Sequence, residues 1–198
     1  MQKYLQLYYA MVSQMDAGVG RITEELERLG IANRTAVLFS SDHGDMQGSH
    51  GMKNKCLPYE RSCGVPLIIK IPWLHQKKVV SVPVSTVDFY PTCMELAGGK
   101  SKKKLPGESL IGLITGKEID HVPVFAENHM TAKPWYLVRS ERYKLVADAE
   151  TGIPCMLFDL ENDPEESRNL VLEEAYGPIL SELERKLAGE VGNYHYSY

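Results

Sequence analysis

The sequence predicts an α/β domain followed by a small antiparallel α+β subdomain, and three observations support this fold class. A long amphipathic pattern at the start predicts a helix, and the apolar run at residues 35–40 directly after it predicts a buried strand. From about residue 121 the pattern changes to short strands separated by turn residues and then one closing helix. We therefore expect two parts, residues 1–118 and residues 119–198.

The first helix is predicted by apolar side chains that recur every three or four positions, as on one face of a helix. These side chains are Leu5, Tyr8, Val12, Met15, Val19, Ile22, Leu26 and Leu29. Gly30 suits the left-handed cap that often ends a helix. We expect the apolar stripe to pack against a sheet as part of the core.

Two apolar runs predict buried strands in the first part. Thr35–Ser40 is apolar on both faces, which is typical of a parallel sheet covered by helices. Val65–Ile71 is the second run, and Pro72 ends it. Residues 42–64 between them are rich in glycine and polar side chains and show no periodicity, so we expect a loop that carries the active site.

The remaining elements follow from turn and cap signals. Ser85 or Thr86 can cap a helix from about Val87 to Leu96. In the second part, short strands are expected at residues 122–126, 135–139, 143–147 and 156–160. A helix is expected around residues 179–187.

Composition excludes some classes of protein. The chain has 198 residues and a formal net charge of -4, which gives no reason to expect nucleic acid as a partner. No apolar run approaches membrane-spanning length, and the first residues have no signal-peptide character. The four cysteines show no zinc-ligand spacing. Composition leaves the cellular compartment open.

The segment Ser41-Asp42-His43-Gly44-Asp45 directly follows the first strand and carries the clearest chemical signal. Open α/β sheets place ligand sites at the carboxyl ends of strands. Asp42 and His43 would point to opposite faces of a regular strand, so they reach one ion only where the backbone turns, which Gly44 permits. A carboxylate beside an imidazole suits a divalent metal, although such a pair is also compatible with a purely structural role.

Several blocks in order resemble the carboxyl-terminal half of the sulfatase family, within the alkaline phosphatase superfamily. Family members carry a strand ending in S-D-H-G-D or S-D-N-G-D, often followed by G-x-H-G, a Lys, Tyr-Glu and V-P-L-I-I. The matching segments here are 41–45, 48–51, Lys55, Tyr59-Glu60 and 65–69. Residues 84–92 resemble the family's V-S-x-V-D-x-x-P-T segment, and residues 157–166 resemble its L-Y-D-L-x-x-D-P-x-E segment.

The resemblance implies a fold, a reaction and roles for individual residues. The first part would be the carboxyl-terminal portion of an alkaline-phosphatase-like α/β sandwich, and the activity would be metal-dependent hydrolysis of sulfate esters. Asp42 and His43 would be metal ligands, usually for Ca²⁺, with Mg²⁺ or Mn²⁺ possible. Lys55 would bind the sulfate, and His50 would bind the substrate or protonate the leaving group. The expected substrate is a small sulfate ester or a sulfated glycan.

Two motifs of the family do not occur in this sequence. Family members also carry paired Asp ligands and a C-x-P-S-R or S-x-P-S-R motif, whose first residue becomes the formylglycine nucleophile. Cys56-Leu57-Pro58 is followed by Tyr59 and does not match. We therefore expect the amino-terminal half of the sulfatase fold as a partner and no activity from this chain alone. Hydrolysis of a phosphonate or phosphate ester, and a non-catalytic remnant or binding module, stay open as alternatives.

Overall fold

The structure is a computed structural model that describes residues 2–74, 78–117 and 123–194. The chain forms two compact units. The first comprises Met1–Lys55 and Arg61–Lys77, and the second comprises Cys56–Glu60 and Lys78–Tyr198. The expected boundary between residues 118 and 119 lies outside the described residues and stays a prediction. Among the helices described, none is both long and apolar enough to cross a membrane.

Helices and antiparallel strands both occur in the described parts of the chain. The α-helices are α1 (Gln2–Arg28), α2 (Glu60–Cys63), α3 (Phe89–Leu96), α4 (Ile111–Thr115) and α5 (Gly177–Tyr194). The strands are β1 (Val37–Ser40), β2 (Leu67–Lys70), β3 (Val124–Asn128), β4 (Trp135–Arg139), β5 (Tyr143–Asp148) and β6 (Pro154–Asp159).

Helix α1 forms over the residues that the periodic pattern predicts. Gly30 adopts the expected left-handed conformation, with φ of 69°, and its N–H donates to the carbonyl of Glu27 at 2.9 Å. The expected burial of its apolar stripe is wrong for the described chain, because no residue of α1 is buried. Met15 and Ile22, for example, keep 54% and 63% of their surface exposed.

Strands β1 and β2 pair with each other, but in the antiparallel direction. Val37 lies opposite Lys70, and Ser40 lies opposite Leu67. The predicted parallel pairing is therefore wrong here. Apolar residues on both faces are typical of buried parallel strands, but they do not exclude antiparallel pairing. The burial is also incomplete, because β1 is half-buried and Ile68 is 63% exposed.

The second unit contains a four-stranded antiparallel sheet in the order β3-β4-β5-β6. The hairpin between β4 and β5 closes with the N–H of Ser140 donating to the carbonyl of Tyr143 at 2.9 Å. Helix α5 places Leu183 and Leu187 against Leu145 and Leu157 of the sheet, which forms the core of this unit. The predicted small antiparallel sheet with a closing helix is confirmed, although residue 122 of the first predicted strand lies outside the described residues.

The predicted cap lies at the start of a short 3-10 turn, Thr86–Asp88, and this turn leads directly into α3. The Oγ of Ser85 accepts a hydrogen bond from the N–H of Val87 at 3.5 Å, and Asp88 accepts one from the N–H of Ser85 at 2.8 Å. This reciprocal arrangement satisfies backbone donors that a helix start leaves open. Ser85, rather than Thr86, is therefore the capping residue.

A buried carboxylate fixes the end of β6. Arg142 donates to both carboxylate oxygens of Asp159, at 2.9 and 2.6 Å, and the amide of Asn162 donates at 2.9 Å. Asp159 is only 3% exposed. The Arg142 guanidinium lowers the pKa of Asp159 to about 2, so this carboxyl stays ionised far below neutral pH.

Replacing this carboxylate gives a prediction with a defined pH window. A carboxyl with a lowered pKa in the folded state adds stability above its unfolded pKa, and this stability is lost as the pH falls. A shift of this size is equivalent to about 2 kcal/mol. We expect Asp159→Asn to lower the free energy of unfolding by roughly that amount at pH 7, and by much less near pH 2. Urea unfolding at both pH values measures this.

The matched control is Glu161→Gln, which removes the exposed carboxylate that also pairs with Arg142, at 3.1 Å. Exposed ion pairs contribute about 0–1 kcal/mol, so the control should change little. Equal losses in the two variants would contradict the role given to Asp159.

Candidate metal and anion site

The site begins where β1 ends and the backbone turns. The Oγ of Ser41 donates to the carbonyl of His43 at 2.8 Å, which folds the chain back over two residues. The N–H of Gly44 then donates to the carbonyl of Ser62 at 2.9 Å. A Cβ at Gly44 would lie 2.1 Å from the carbonyl oxygen of Arg61, so only glycine fits. This close approach of two backbone segments fixes the turn.

The turn brings the side chains of Asp42 and His43 to the same side. Asp42 Oδ2 lies 3.4 Å from His43 Nε2. The backbone N–H of His43 donates to Asp42 Oδ1 at 3.0 Å, and this bond lowers the pKa of the Asp42 carboxyl. The Asp42 side chain is 84% exposed. An ionised carboxylate therefore faces solvent next to an imidazole nitrogen.

The hydrogen bonds of His43 define its tautomer. Its Nδ1 lies 2.8 Å from the carbonyl oxygen of Gly44. Because a carbonyl only accepts, Nδ1 must carry the proton, and Nε2 is left with a lone pair in the neutral ring. Metal-binding histidines are commonly oriented in this way, with the second ring nitrogen donating to a carbonyl.

Lys55 completes the cluster. Its Nζ lies 2.7 Å from His43 Nε2, and the ammonium must be the donor. Lys53, the other lysine of this loop, instead lies over the ring of Tyr4, 5.4 Å from its centre. The structure thus brings Asp42, His43 and Lys55 together. Of the two lysines in this loop, Lys55 contacts His43 and Lys53 contacts Tyr4.

Two further residues of the loop, Asp45 and His50, lie within the first unit. Asp45 accepts hydrogen bonds from the hydroxyl of Tyr4 at 3.1 Å and from the N–H of Gln47 at 2.8 Å. His50 lies in a 3-10 turn, Ser49–Gly51, with a left-handed φ of 52°. The catalytic role expected for His50 stays a prediction.

The donor set fits two of the positions around a divalent cation. An ion at about 2.2 Å from each of two ligands at a right angle separates them by roughly 3.1 Å, close to the distance between Asp42 Oδ2 and His43 Nε2. In the part of the chain that the structure describes, no group of three or more His, Cys, Asp or Glu side chains could hold a metal. The described residues therefore offer two ligands.

Sequence reasoning found the three main side chains but not what arranges them. It missed the hydroxyl of Ser41 and the contact between Gly44 and Arg61. A Ser directly before the Asp was visible in the sequence, since such hydroxyls often bond to the backbone two residues on. The contact with Arg61 had no local signal, because it joins residues distant in sequence. The predicted metal and substrate roles stay predictions.

Comparison with known proteins identifies the family. The family model described as "N-sulphoglucosamine sulphohydrolase, C-terminal" matches residues 48–192. Arylsulfatase K of Gallus gallus is 34% identical over 176 residues, which is 83% of this chain and 33% of that protein. The ulvan-active sulfatase of Formosa agariphila is 30% identical over 195 residues, covering 92% of this chain and 38% of that protein. The chain thus spans about a third of the length of these relatives.

Solved structures agree with this comparison. A 2-O GAG sulfatase superposes with a TM-score of 0.81 at 29% identity, over 91% of this chain and 41% of that one. The phosphonate monoester hydrolase of Agrobacterium radiobacter superposes with a TM-score of 0.79 at 28% identity, over 94% and 40%. The expected alkaline-phosphatase-like fold is confirmed. The extent of the family match, together with these relatives, shows that the chain belongs to the sulfatase family and corresponds to its carboxyl-terminal part.

Proposed function

We propose that this chain supplies metal-binding and anion-binding side chains to a sulfatase that hydrolyses sulfate esters. The observation that carries the proposal is the contact between Lys55 and His43 beside the ionised Asp42. Membership of the sulfatase family implies a divalent metal. The chain alone offers an anion, a neutral nitrogen lone pair and a cation within one small cluster.

Each side chain has a role that follows from its chemistry. Asp42 Oδ2 and His43 Nε2 would hold the ion, which polarises a sulfuryl oxygen when bound. The ammonium of Lys55 would balance the charge that develops on the sulfuryl group. His50 would bind substrate or protonate the leaving group. Ca²⁺ is the proposed ion. Because His43 supplies a nitrogen ligand, Mg²⁺ and Mn²⁺ are the alternatives.

The substrate class is proposed from the relatives. One curated relative acts on ulvan, and one structural neighbour is a 2-O GAG sulfatase. A sulfated glycan is therefore the proposed substrate, with the amino-terminal part of a sulfatase fold as the proposed partner. The likeness to a phosphonate monoester hydrolase supports a phosphonate ester as the second candidate.

The contact between Lys55 and His43 would couple the binding of a metal to the binding of an anion. Its ammonium uses the same Nε2 lone pair that a metal would take. A metal ion must therefore displace the ammonium and then stand close to a like charge. An anion between them relieves this repulsion, because it is attracted to both. Metal and sulfate should consequently bind with positive coupling, and the coupling must be reciprocal.

Calorimetric titration with Ca²⁺, Mg²⁺ and Mn²⁺, with and without sulfate, tests this arrangement. We expect weak metal binding, with dissociation constants of about 10⁻⁴ M or higher, because a hard cation needs roughly six to eight ligands and the cluster offers two. Sulfate should raise metal affinity about 5-fold, at the low end of typical coupling energies. Asp42→Ala should abolish binding.

The matched variants are Lys55→Met and Lys53→Met, in the same loop. Lys55→Met should bind metal more tightly in the absence of sulfate and lose the effect of sulfate. Lys53→Met should behave like the unmodified chain. Submicromolar affinity that Asp42→Ala abolishes would show a complete site and contradict the two-ligand account. Metal binding that Asp42→Ala leaves unchanged would exclude the proposed site.

A further inference from the structure

Residues 100–104, in the second unit, are the most basic five-residue stretch of the sequence. Four of the five are lysines, and no acidic residue lies between Glu95 and Glu108. We call residues 100–106 the lysine loop. Its four lysines are exposed. Within the described residues none of the four forms an ion pair, whereas Lys144 and Lys186 each pair with a glutamate. Four unneutralised cations therefore face solvent together.

The lysine loop begins at a fixed point, the end of α3. Gly98 adopts a left-handed conformation with φ of 70°, and its N–H donates to the carbonyl of Glu95 at 2.9 Å. The N–H of Gly99 donates to the carbonyl of Met94 at 2.8 Å. This pair of bonds is the Schellman arrangement, which closes a helix and sets the direction of the chain that leaves it.

The lysine loop also ends at a fixed point, beside the start of α3. The N–H of Glu108 donates to Asp88 Oδ1 at 2.9 Å, and the N–H of Leu110 donates to Thr92 Oγ1 at 2.9 Å. Thr92 is fully buried. A Cβ at Gly107 would lie only 2.4 Å from a backbone carbonyl oxygen just before α3. Both ends of the loop are therefore held on one helix.

Within the loop, a turn brings the lysines close to each other. Ser101 Oγ accepts from the N–H of Lys103 at 3.1 Å and donates to the carbonyl of Lys103 at 2.7 Å. Residues 100–104 would span at most about 14 Å even if fully extended. Like charges at such distances repel, and anionic groups among them relieve that repulsion.

The nearby carboxylate of Asp88 is already used by the backbone. One of its oxygens accepts from Glu108, as described above, and the other accepts from the N–H of Ser85 at 2.8 Å. It therefore holds the loop in place and leaves the lysines to other anions. A ligand from solution would have to supply those anions.

The number and spacing of the charges point to a linear polyanion. One sulfate group offers a single small anion, whereas a polyanion presents several along one chain. Lysines that bind a linear polyanion release its condensed counterions, as they do on DNA, and this favours association at low salt. The lysine loop has no aromatic side chain on which a base could stack. This favours a sulfated glycan over a nucleic acid.

We propose that the lysine loop is an electrostatic docking surface for a sulfated glycan chain. It would act in addition to the side chains that act on one sulfate group, and it would favour glycans with several sulfates over small sulfate esters. The choice of a sulfated glycan rests on the proposed function. The docking itself needs neither a bound metal nor turnover.

The test measures heparin binding to the 198-residue chain by calorimetry in EDTA, so that no metal is bound. The test variant replaces the lysines of the loop with glutamine: Lys100→Gln, Lys102→Gln, Lys103→Gln and Lys104→Gln. The matched control replaces four exposed lysines that are scattered along the chain: Lys3→Gln, Lys70→Gln, Lys117→Gln and Lys133→Gln. Both variants lower the net charge equally, and circular dichroism checks that both stay folded.

The salt dependence of binding is the main readout. Four lysines give a slope of about 3 in log affinity against log salt, so the affinity of the unmodified chain should fall about 60-fold between about 50 mM and about 200 mM NaCl. The test variant should lose about 3 from this slope, and the control less than about 1. No heparin binding by the unmodified chain, or equal slopes for the two variants, would overturn the proposal.

Two further comparisons identify what the loop recognises. Replacing the four lysines with arginine should keep heparin binding, because the charges are kept. Oligo-dT with a matched number of charges, and desulfated heparin, should bind less tightly than heparin. Equal affinity for oligo-dT would assign the surface to nucleic acid and overturn the proposal. Because neither metal nor hydrolysis is involved, failure of the proposed metal site would leave these results unchanged.

Discussion

The purified 198-residue chain is expected to leave an aryl sulfate unhydrolysed. The sequence contains neither a C-x-P-S-R nor an S-x-P-S-R motif, so it lacks the motif whose first residue would become the formylglycine nucleophile. The loss should be large, since removal of a nucleophile from a protease triad lowers kcat by about 10⁶-fold. The measurement is release of the chromogenic alcohol at millimolar substrate with added Ca²⁺ or Mn²⁺.

The control for this assay is a full-length arylsulfatase measured under the same conditions. Turnover by the 198-residue chain that disappears in Asp42→Ala would contradict the expectation, because it would require a nucleophile that we have not recognised. Turnover that persists in Asp42→Ala would indicate a contaminating enzyme.

Loss of the Lys144 charge should give the largest change in stability. The side chain of Lys144 is fully buried and forms an ion pair with Glu166 Oε1. Lys144→Met leaves the carboxylate of Glu166, which is only 3% exposed, without its cation. Breaking a buried pair from one side typically costs about 3–5 kcal/mol. We expect a loss of this size at pH 8 in urea unfolding followed by circular dichroism. Lys186→Met, which breaks an exposed pair with Glu182 on α5, should change the free energy of unfolding by less than about 1 kcal/mol.

The pH dependence of the loss of stability in Lys144→Met shows whether it is caused by the unpaired Glu166 carboxylate or by a loss of packing. Burial already raises the pKa of Glu166, in spite of the opposing effect of Lys144. Without Lys144 the pKa should rise further, so that protonation relieves the buried charge as the pH falls. A group with a raised folded pKa loses stability with increasing pH, so the deficit of Lys144→Met should shrink from pH 8 to pH 5. A deficit that is constant over this range would point to packing instead.

Local patterns predicted the elements well because these patterns depend on neighbours in sequence. The periodicity of α1, the Gly30 cap and the hairpin at Ser140 all involve residues a few positions apart. The direction of β1 against β2 was not predictable in this way, since an apolar run is compatible with either direction. The exposure of α1 was also missed, because periodicity shows which face is apolar and not what covers it.

The candidate site also has features that local sequence predicts and features that it does not. Asp42, His43 and Lys55 were found from their order in the sequence; Asp42 and His43 meet at one turn, and Lys55 contacts His43 from 12 residues further along the same loop. The burial of Lys144 could not be predicted from the sequence, because charged residues on an alternating strand such as β5 ordinarily point to solvent. Its burial depends on its ion pairs with Glu60 and Glu166, which lie 84 residues before and 22 residues after it. Only the folded chain brings the three together.

The contact at Gly44 also limits how this sequence can evolve. Any side chain at that position would collide with the carbonyl of Arg61, and backbone atoms cannot move aside as the end of a flexible side chain can. Gly51 has a left-handed φ of 70° but open space around it, so asparagine is an accessible replacement there. Two glycines of one loop therefore face different selection. At Gly44 the adjacent backbone excludes every residue that has a Cβ. At Gly51 only the left-handed backbone conformation favours glycine, so substitution by asparagine is tolerated there.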